Sequence, residues 1–577
     1  MKQKNYPLYE TTVFEDFRIM VENAANKAPE KVAFSYKLKP LEDAVETKTF
    51  EEVRLDVRHL GTAIHNLGLS EKKAAIIGTA SYGWIASYFA LMASGAVTVP
   101  ADKEMPADKE MPADDLAAII NKAGCEAVFY SADIAEKVAV FKEKCPTVKN
   151  FVSFSVNGDK AEGDSTVWEL MEAGSANFAD GNNIYYDYPL DPDKLASIVF
   201  TSGTTGKGKG VMLSQTNIVS DMTQGMYNFS ITPKTMLVLP PHHTFGSTVN
   251  IVGHFAQNAE VYISSGIKYF QREMKEQQPS HLILVPLFIE TLYKRIWASA
   301  EKSGQANKLR NIIKVSNGLR KAGVDMRSTL FKSVTSNFGG KLEMVICGGA
   351  ALNQDIIDFF DSIGVTLLNG YGITECAPLI SCNRNKYQKK GSVGTPIIGE
   401  QVKIADPDEN GEGEICVKGP NVMMGYYEDP EATAAVFDEE GFFKTGDYGK
   451  VDEEGWLYIT GRLKNLIIFS NGKNVYPEEI ENEISRIYGV NEVVVYAGES
   501  KSNPAKEVIV AEIFPDFDGL KNKGIEDVKA YFAEEVKKAN ANMVSYKSVG
   551  TVKIREVEFP KNTSRKITRF AIDKSID

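Results

Sequence analysis

The stretch Leu195-Ala-Ser-Ile-Val-Phe200-Thr-Ser-Gly-Thr-Thr-Gly206-Lys-Gly-Lys-Gly210-Val-Met-Leu213 says most about this chain. Residues 195–200 form a largely apolar run that reads as a buried strand. Gly203, Gly206, Gly208 and Gly210 then let the backbone adopt conformations closed to other residues and bring its N–H groups close to a ligand. Thr201, Ser202, Thr204 and Thr205 add hydroxyls, and Lys207 and Lys209 add positive charge. Val211-Met212-Leu213 looks like a second strand.

A loop of this kind suits a polyphosphate, whose oxygens need many donors at short range. Gly203 to Lys209 even satisfies G-x-x-x-x-G-K, but Gly210 stands where a Walker loop places the Ser or Thr that holds Mg²⁺. A P-loop NTPase is thus a rival reading of the loop, and a mobile surface turn is another.

The chain has 577 residues, enough for two or more domains, with 43% apolar and 25% charged residues, the balance of a globular protein. Its formal charge of −12 argues against a general nucleic-acid binder and requires any anionic substrate to be met by local positive charge. Six cysteines at irregular spacing (125, 145, 347, 376, 382 and 416) read as reduced thiols of a cytoplasmic protein, with no zinc site. The first residues lack the apolar core of a signal peptide. The most apolar segment, 84–97, is too short to span a bilayer, which leaves only peripheral membrane contact open.

Around the opening stretch, strand-like runs at 74–78, 127–130, 195–200, 236–239, 282–285 and 342–347 alternate with helical patterns. That alternation predicts a large α/β domain of mainly parallel sheets flanked by helices. Residues 14–27 predict a helix capped by Thr12. The run 342–347 ends in Gly348-Gly349-Ala350 before a helix from Asn353, and the carboxyl end of such a strand is where open α/β sheets bind ligands. The texture changes after Gly461. Asn471-Gly472 marks a hairpin, Pro477 opens a helix, and strands near 493–497, 507–513 and 551–558 with a helix near 525–539 make a small α+β unit. We place the boundary between 1–461 and 462–577. The hexapeptide Ala101-Asp-Lys-Glu-Met-Pro106 recurs at once as residues 107–112, and reads as a duplicated surface loop.

Further stretches join the loop in a fixed order: Leu239-Pro240 with His243 and Gly246, Gly348-Gly-Ala350, Tyr371-Gly-Ile-Thr-Glu375, Gly413-Glu414, Thr445-Gly-Asp447, Gly461-Arg462 and Lys566. Together they resemble the adenylate-forming (AMP-binding) superfamily over residues 14–570. Gly441-Phe-Phe-Lys-Thr-Gly-Asp-Tyr-Gly449 with Gly455-Trp-Leu-Tyr-Ile459 and Gly461-Arg-Leu-Lys464 is most similar to long-chain fatty acid–CoA ligases. The resemblance adds a small β-barrel and makes the C-terminal domain a mobile one. It implies ATP-dependent activation of a carboxylic acid, of medium to long chain, through acyl-adenylate, then transfer to coenzyme A. An alternative acceptor is an acyl-carrier protein. An inactive acyl-binding relative is a third reading.

Residue by residue, the resemblance gives Thr201, Ser202, Gly203, Thr204, Thr205, Gly206 and Lys209 to the ATP phosphates, and Thr201 and Glu375 to Mg²⁺. Gly348, Gly349 and Tyr371 would frame adenine, with Ala350, Gly372 and Thr374 also in the nucleotide site; Asp447 would accept from the ribose hydroxyls, with Arg462 beside it. Lys566 would bridge the α-phosphate and the acyl carboxylate, His243 would lie beside the acyl site, and Lys464 would mark a hinge. Taken alone, Glu375 reads as an ordinary solvated carboxylate, His243 beside His242 as a loop histidine, Asp447 as a turn former, and Lys566 as one of a basic group with Lys561, Arg565 and Arg569. Gly208 stands where the family usually has Pro, and Arg565 where it often has Gly.

Overall fold

The computed structural model describes residues 9–103, 112–155, 157–201, 209–350, 352–385, 387–469, 474–499, 508–541, 543–561 and 567–576. The phosphate-loop residues 202–208, most of the hexapeptide repeat and Lys566 lie outside them. The chain divides into two compact units, residues 1–401 with 417–443, and residues 402–416 with 444–577. The 461/462 position expected as a boundary falls inside the second unit, at the end of strand Leu457–Arg462.

The first unit is built on three sheets. In the largest, six strands run parallel in the order Leu195–Thr201, Val97–Ala101, Lys73–Ile77, Ala127–Tyr130, Asn150–Ser153 and Ser165–Thr166. Two antiparallel strands, Lys209–Ser214 and Gly425–Tyr426, finish it beyond Leu195–Thr201. The second sheet aligns His281–Leu284, Met344–Cys347 and Thr366–Gly372 in parallel, then Leu379–Cys382 and Thr395–Pro396 antiparallel. The third aligns Lys234–Leu237, Glu260–Ile263 and Val32–Tyr36 in parallel and ends on Glu46–Thr49. The apolar segment near 84–97 is the helix Tyr82–Ala93, every residue of which is buried, as a helix apolar all round must be. Among the described residues no helix is long and apolar enough to cross a membrane.

Local signals mostly held, with some shifts. The first helix is Phe17–Lys27, and its cap is Asp16, whose Oδ1 accepts from Ile19 N–H at 2.8 Å, not Thr12. The cap is a carboxylate four residues beyond the hydroxyl expected. The helix Gln354–Ile363 starts behind Asn353 and buries Ile356, Phe359, Phe360 and Ile363. In the second unit, Pro477–Ile484 is a helix, and Val490–Ala497, Ile509–Pro515 and Thr551–Ile554 form one sheet. The last strand stops short of 558, where the chain turns into irregular structure. Each described sheet has two distinct edge strands, so the expected small β-barrel is not seen as a closed sheet; strands Gln401–Ala405, Gly413–Lys418, Phe443–Val451 and Leu457–Arg462 form a four-stranded one.

Two features of the first unit bear on later sections. The segment Phe245–Val252, just after His243, is a π-helix, nearly all of it buried. Behind it His254 and His281, both fully buried, face each other through their Nε2 atoms. His254 Nδ1 meets Val249 O at 3.0 Å and His281 Nδ1 meets Thr232 Oγ1 at 2.6 Å. Burial lowers both imidazoles, His254 from 6.5 to about 4 and His281, with the neighbouring His254 adding to it, well below the usual imidazole range. Below pH 6.5 the unfolded chain binds protons that the folded one refuses, so stability falls as pH drops toward 4. Urea unfolding midpoints measured from pH 7 to 5 are expected to fall, and to fall less steeply in a His254→Gln, His281→Gln double variant.

Candidate active site

The first half of the site grows from strand Lys209–Ser214 and its two neighbours. The register sets Thr201 opposite Lys209, with Thr201 Oγ1 donating to Lys209 O at 3.4 Å. Lys209 Nζ stands 4.5 Å from the centre of the Tyr426 ring, a cation–π contact. Tyr426 OH donates to Glu375 Oε1 at 3.0 Å. Burial, and then the Glu375 charge, push this phenol far above its usual range, so it remains a donor. The sequence singled out Thr201, Lys209 and Glu375; it missed Tyr426, which nothing in the spacing separates from Tyr427.

Glu375 lies in the 3₁₀ turn Thr374–Cys376, directly after the strand that carries Tyr371 and Gly372. Its carbonyl accepts from Met423 N–H at 2.8 Å. Asn421 Nδ2 donates to Cys376 O at 3.0 Å and Leu379 O at 2.7 Å. Leu379 N–H donates to Oδ1 of the buried Asp221 at 2.8 Å, from helix Gln215–Gly225. Gly372 permits the tight return of the chain: a Cβ there would stand 2.1 Å from Pro378 O.

The adenine candidates gather at the ends of two neighbouring strands. A Cβ on Gly348 would lie 3.2 Å from Phe245 Cζ and 3.5 Å from Gly370 O. The glycine turn, the backbone just before the buried Tyr371, and Phe245 two residues after His243 therefore meet. Gly349 has φ +88°, the left-handed region, and Gly349 and Ala350 are exposed. The His243 carbonyl accepts from Gly246 N–H at 2.8 Å, and its ring centre is 4.3 Å from that of His242. His242 Nε2 is 3.4 Å from Asp102 Oδ2, a pairing the sequence did not suggest.

The second unit holds the remaining candidates. Asp447 and Arg462 face each other on antiparallel strands, with Arg462 Nε 2.8 Å from Asp447 Oδ1. The carboxylate is buried while the guanidinium is half exposed. Asp447 N–H donates to Thr445 Oγ1 at 3.1 Å, and Thr445 Oγ1 donates to Ile415 O at 2.8 Å. Lys464 follows in the turn Leu463–Asn465, its ammonium lowered by burial and then by Arg462.

Ser202, Gly203, Thr204, Thr205, Gly206 and Lys566 lie outside the described residues. The chain on either side of residues 562–566 is anchored, however. Lys561 and Ile567 form an antiparallel bridge, and Thr568 N–H donates to Pro560 O at 2.8 Å. Lys561 pairs with Glu492 and, at 2.8 Å, with Glu558. Burial would lower the Lys561 ammonium, but these carboxylates outweigh it and its pKa is raised. Arg569 Nη2 reaches Glu481 Oε1 at 2.7 Å; burial lifts the Glu481 carboxyl to about 7 against the pull of Arg569.

Residues 21–427 match the family described as AMP-binding enzyme. The chain belongs to that family. Among curated proteins it is 28% identical over 501 residues to rat long-chain-fatty-acid–CoA ligase 5, covering 82% of this chain and 71% of the ligase. It is 25% identical over 576 residues to long-chain-fatty-acid–CoA ligase FadD15 of Mycobacterium tuberculosis, covering 92% and 90%. It is 26% identical over 546 residues to the chloroplastic long-chain-fatty-acid–[acyl-carrier-protein] ligase AEE15 of Arabidopsis thaliana, covering 82% and 73%. Among solved structures, ATP-bound MatB from Rhodopseudomonas palustris superposes with a TM-score of 0.74 at 24% identity, over 96% and 98% of the two chains. The fold is that of adenylate-forming enzymes, ligases that use ATP to activate an acid.

Replacing Tyr426 by Phe keeps the ring under Lys209 and removes one hydrogen bond to a carboxylate, worth about 1.5–3 kcal/mol. The expected result is an ATP–pyrophosphate exchange rate down by roughly ten- to a hundredfold, with the unfolding temperature lowered by only a few degrees and the chain still folded. Unchanged exchange would show that the Tyr426–Glu375 bond does not serve the reaction.

Proposed function

We propose that this chain is an AMP-forming acid–CoA ligase acting on medium- to long-chain fatty acids. The observation that carries the reading is the linked set of Thr201, Lys209 and Tyr426 on adjoining strands with Glu375 on a 3₁₀ turn, in a chain of the AMP-binding family whose sequence has a Gly/Thr/Lys stretch between Thr201 and Lys209. The resemblance of its signature segment and the names of its relatives support the fatty acid. All six cysteine thiols are buried, which fits a reducing compartment, and we place the protein in the cytoplasm.

In the first half-reaction the acid's carboxylate oxygen bonds to the α-phosphorus of ATP as the bond to the β-phosphate oxygen breaks and pyrophosphate leaves. Charge gathers on the phosphates, so donors fixed in advance lower the barrier. Residues 201–206 and Lys209 would hold the β- and γ-phosphates, and Lys566 the α-phosphate and carboxylate. Gly348, Gly349 and Tyr371 would frame adenine, with Ala350, Gly372 and Thr374 also in the nucleotide site, while Asp447 takes the ribose hydroxyls with Arg462 beside it and His243 lies by the acyl group. Thr201 and Glu375 offer the hard oxygen donors that suit Mg²⁺, which would neutralise phosphate charge when bound. Among the described residues no three acidic, His or Cys side chains form a metal cluster; an ion held mainly through phosphates needs none. In the second half-reaction the thiol sulfur of CoA attacks the acyl carbon, its proton is lost, and AMP departs. Residues 462–577 would turn about Lys464 between the two steps.

The paired state of Lys561 supports Lys566 as the catalytic lysine. Lys566→Ala is expected to abolish adenylate formation while sparing thioester formation from supplied acyl-adenylate, whereas Lys561→Ala lowers stability and leaves both half-reactions measurable. The reverse pattern would exchange the two assignments.

The test of the whole reading is incubation with Mg²⁺-ATP and acids from acetate to oleate, with and without CoA, read by mass spectrometry. Long-chain acyl-CoA formed only with CoA is the expected product. Acyl-adenylate that persists despite CoA would point to a carrier-protein acceptor, and no product from any long acid would overturn the substrate class.

A further inference from the structure

Positive charge is gathered in one part of the first unit. Residues 286–338, which hold the helices Pro286–Lys302 and Ala306–Lys321 and the short turns after them, carry ten Lys and Arg against three Asp and Glu, a formal charge of +7. The whole chain stands at −12, so everything outside this segment sums to −19. Like charges brought together repel, and the fold gains nothing from the excess itself.

Helix Ala306–Lys321 shows how that charge is displayed. Its inner face is fixed: Leu309 is buried, Ile312 and Ile313 pack on the core that holds Phe359 and Phe360, and Asn317 Nδ2 donates to Ser362 Oγ at 3.0 Å. Arg320 Nη1 pairs with Asp361 Oδ2 at 2.7 Å. At 3.6 residues per turn, Lys308, Arg310, Asn311, Lys314, Val315 and Lys321 fall on the opposite arc, and all six are exposed. The helix contains no acidic residue, so Arg310 and Lys314, four apart, repel where a Glu–Lys pair would attract. Lys308, Lys314 and Lys321, with Arg295, Lys302 and Lys332 on either side, have no ion-pair partner among the described residues. Apolar side chains stand among them: Val315, Val324 and Met326 are 60%, 47% and 40% exposed. Val324 N–H donates to Leu319 O at 3.0 Å, which holds the turn 322–326 against the end of the helix.

We infer that the outer face of helix Ala306–Lys321, with the turn 322–326, docks the protein on a membrane surface of anionic lipid. Five of the six unpaired cations are Lys, point charges that respond to the summed potential of many headgroups and need no fixed partner. Val324 and Met326 enter the headgroup layer beside them. No exposed large apolar residue between 286 and 338 is aromatic, so the bases of a nucleic acid find nothing to stack on. The −19 on the rest of the chain is repelled by the same lipid, which confines the contact to this face. The contact is peripheral: among the described residues no helix is long and apolar enough to cross a bilayer. A fatty acid, the substrate proposed above, dissolves in that same phase, but the docking does not depend on it.

The experiment is co-sedimentation of the full chain with vesicles of phosphatidylcholine, alone or mixed with phosphatidylglycerol. The expected result is binding to the mixed vesicles only, weakened as salt is raised. A Lys308→Gln, Lys314→Gln, Lys321→Gln triple variant is expected to bind them roughly a hundredfold more weakly, while its ATP–pyrophosphate exchange in vesicle-free buffer is unchanged. No binding by the unaltered protein would overturn the inference, as would equal binding by the triple variant. Binding to poly-glutamate in place of the vesicles, lost in the triple variant, would also overturn it and give the face to an acidic protein. Should the triple variant fail to fold, Val324→Cys labelled with an environment-sensitive dye decides, since all six native thiols are buried. A blue shift of its emission on mixed vesicles supports the docking face, and an unchanged spectrum overturns it.

Discussion

Pairing of strand Lys209–Ser214 on both edges is the constraint from which the candidate site follows. One edge brings Thr201 opposite Lys209; the other brings Gly425–Tyr426 alongside Met212 and Val211. Because side chains alternate along a strand, a slip of one residue on either edge would turn the wrong set inward. The hydroxyl of Thr201, the ammonium of Lys209 and the phenol of Tyr426 are thus placed by backbone hydrogen bonds, before any side-chain contact is made. Glu375 joins them through Tyr426, from a different sheet.

What holds Glu375 in turn is mostly polar and mostly buried. Its turn is tied by Asp221 and by the neighbouring Asn421 and Met423, all distant in sequence from Glu375. Such ties give direction where apolar packing gives only proximity, and each requires its partner to be present, because a buried polar group left alone is costly. The second unit uses the same economy around residues 562–566, where Glu492 and Glu481 hold Lys561 and Arg569 on either side.

The parts of this arrangement that could be read in the sequence are those with local causes. The run 195–200, the glycine turn after Cys347 and the Pro477 helix each announce themselves through periodicity or backbone chemistry, and the structure has all three. The ordered motifs located Glu375 and Asp447. Tyr426, Asp221, Asn421 and the Asp102–His242 pair were silent, since their roles arise only when segments as much as 200 residues apart are brought together. Asp16 shows the same limit at short range: it and Thr12 are both cap-forming residues, and only the position where Phe17 and Met20 enter the core chooses between them.

The π-helical turn at Phe245–Val252 gives the loop of His243 a freedom that an α-helix would deny it. A wide turn takes in one residue more than an α turn does, and so unlinks the direction in which the chain leaves at Phe245 from the phase in which His254 and Phe255 meet the core. In descent, a loop joined to its scaffold this way can change length or tilt while the buried histidine and phenylalanine keep their places. The wide turn acts as slack between the loop of His243 and the packed interior behind it.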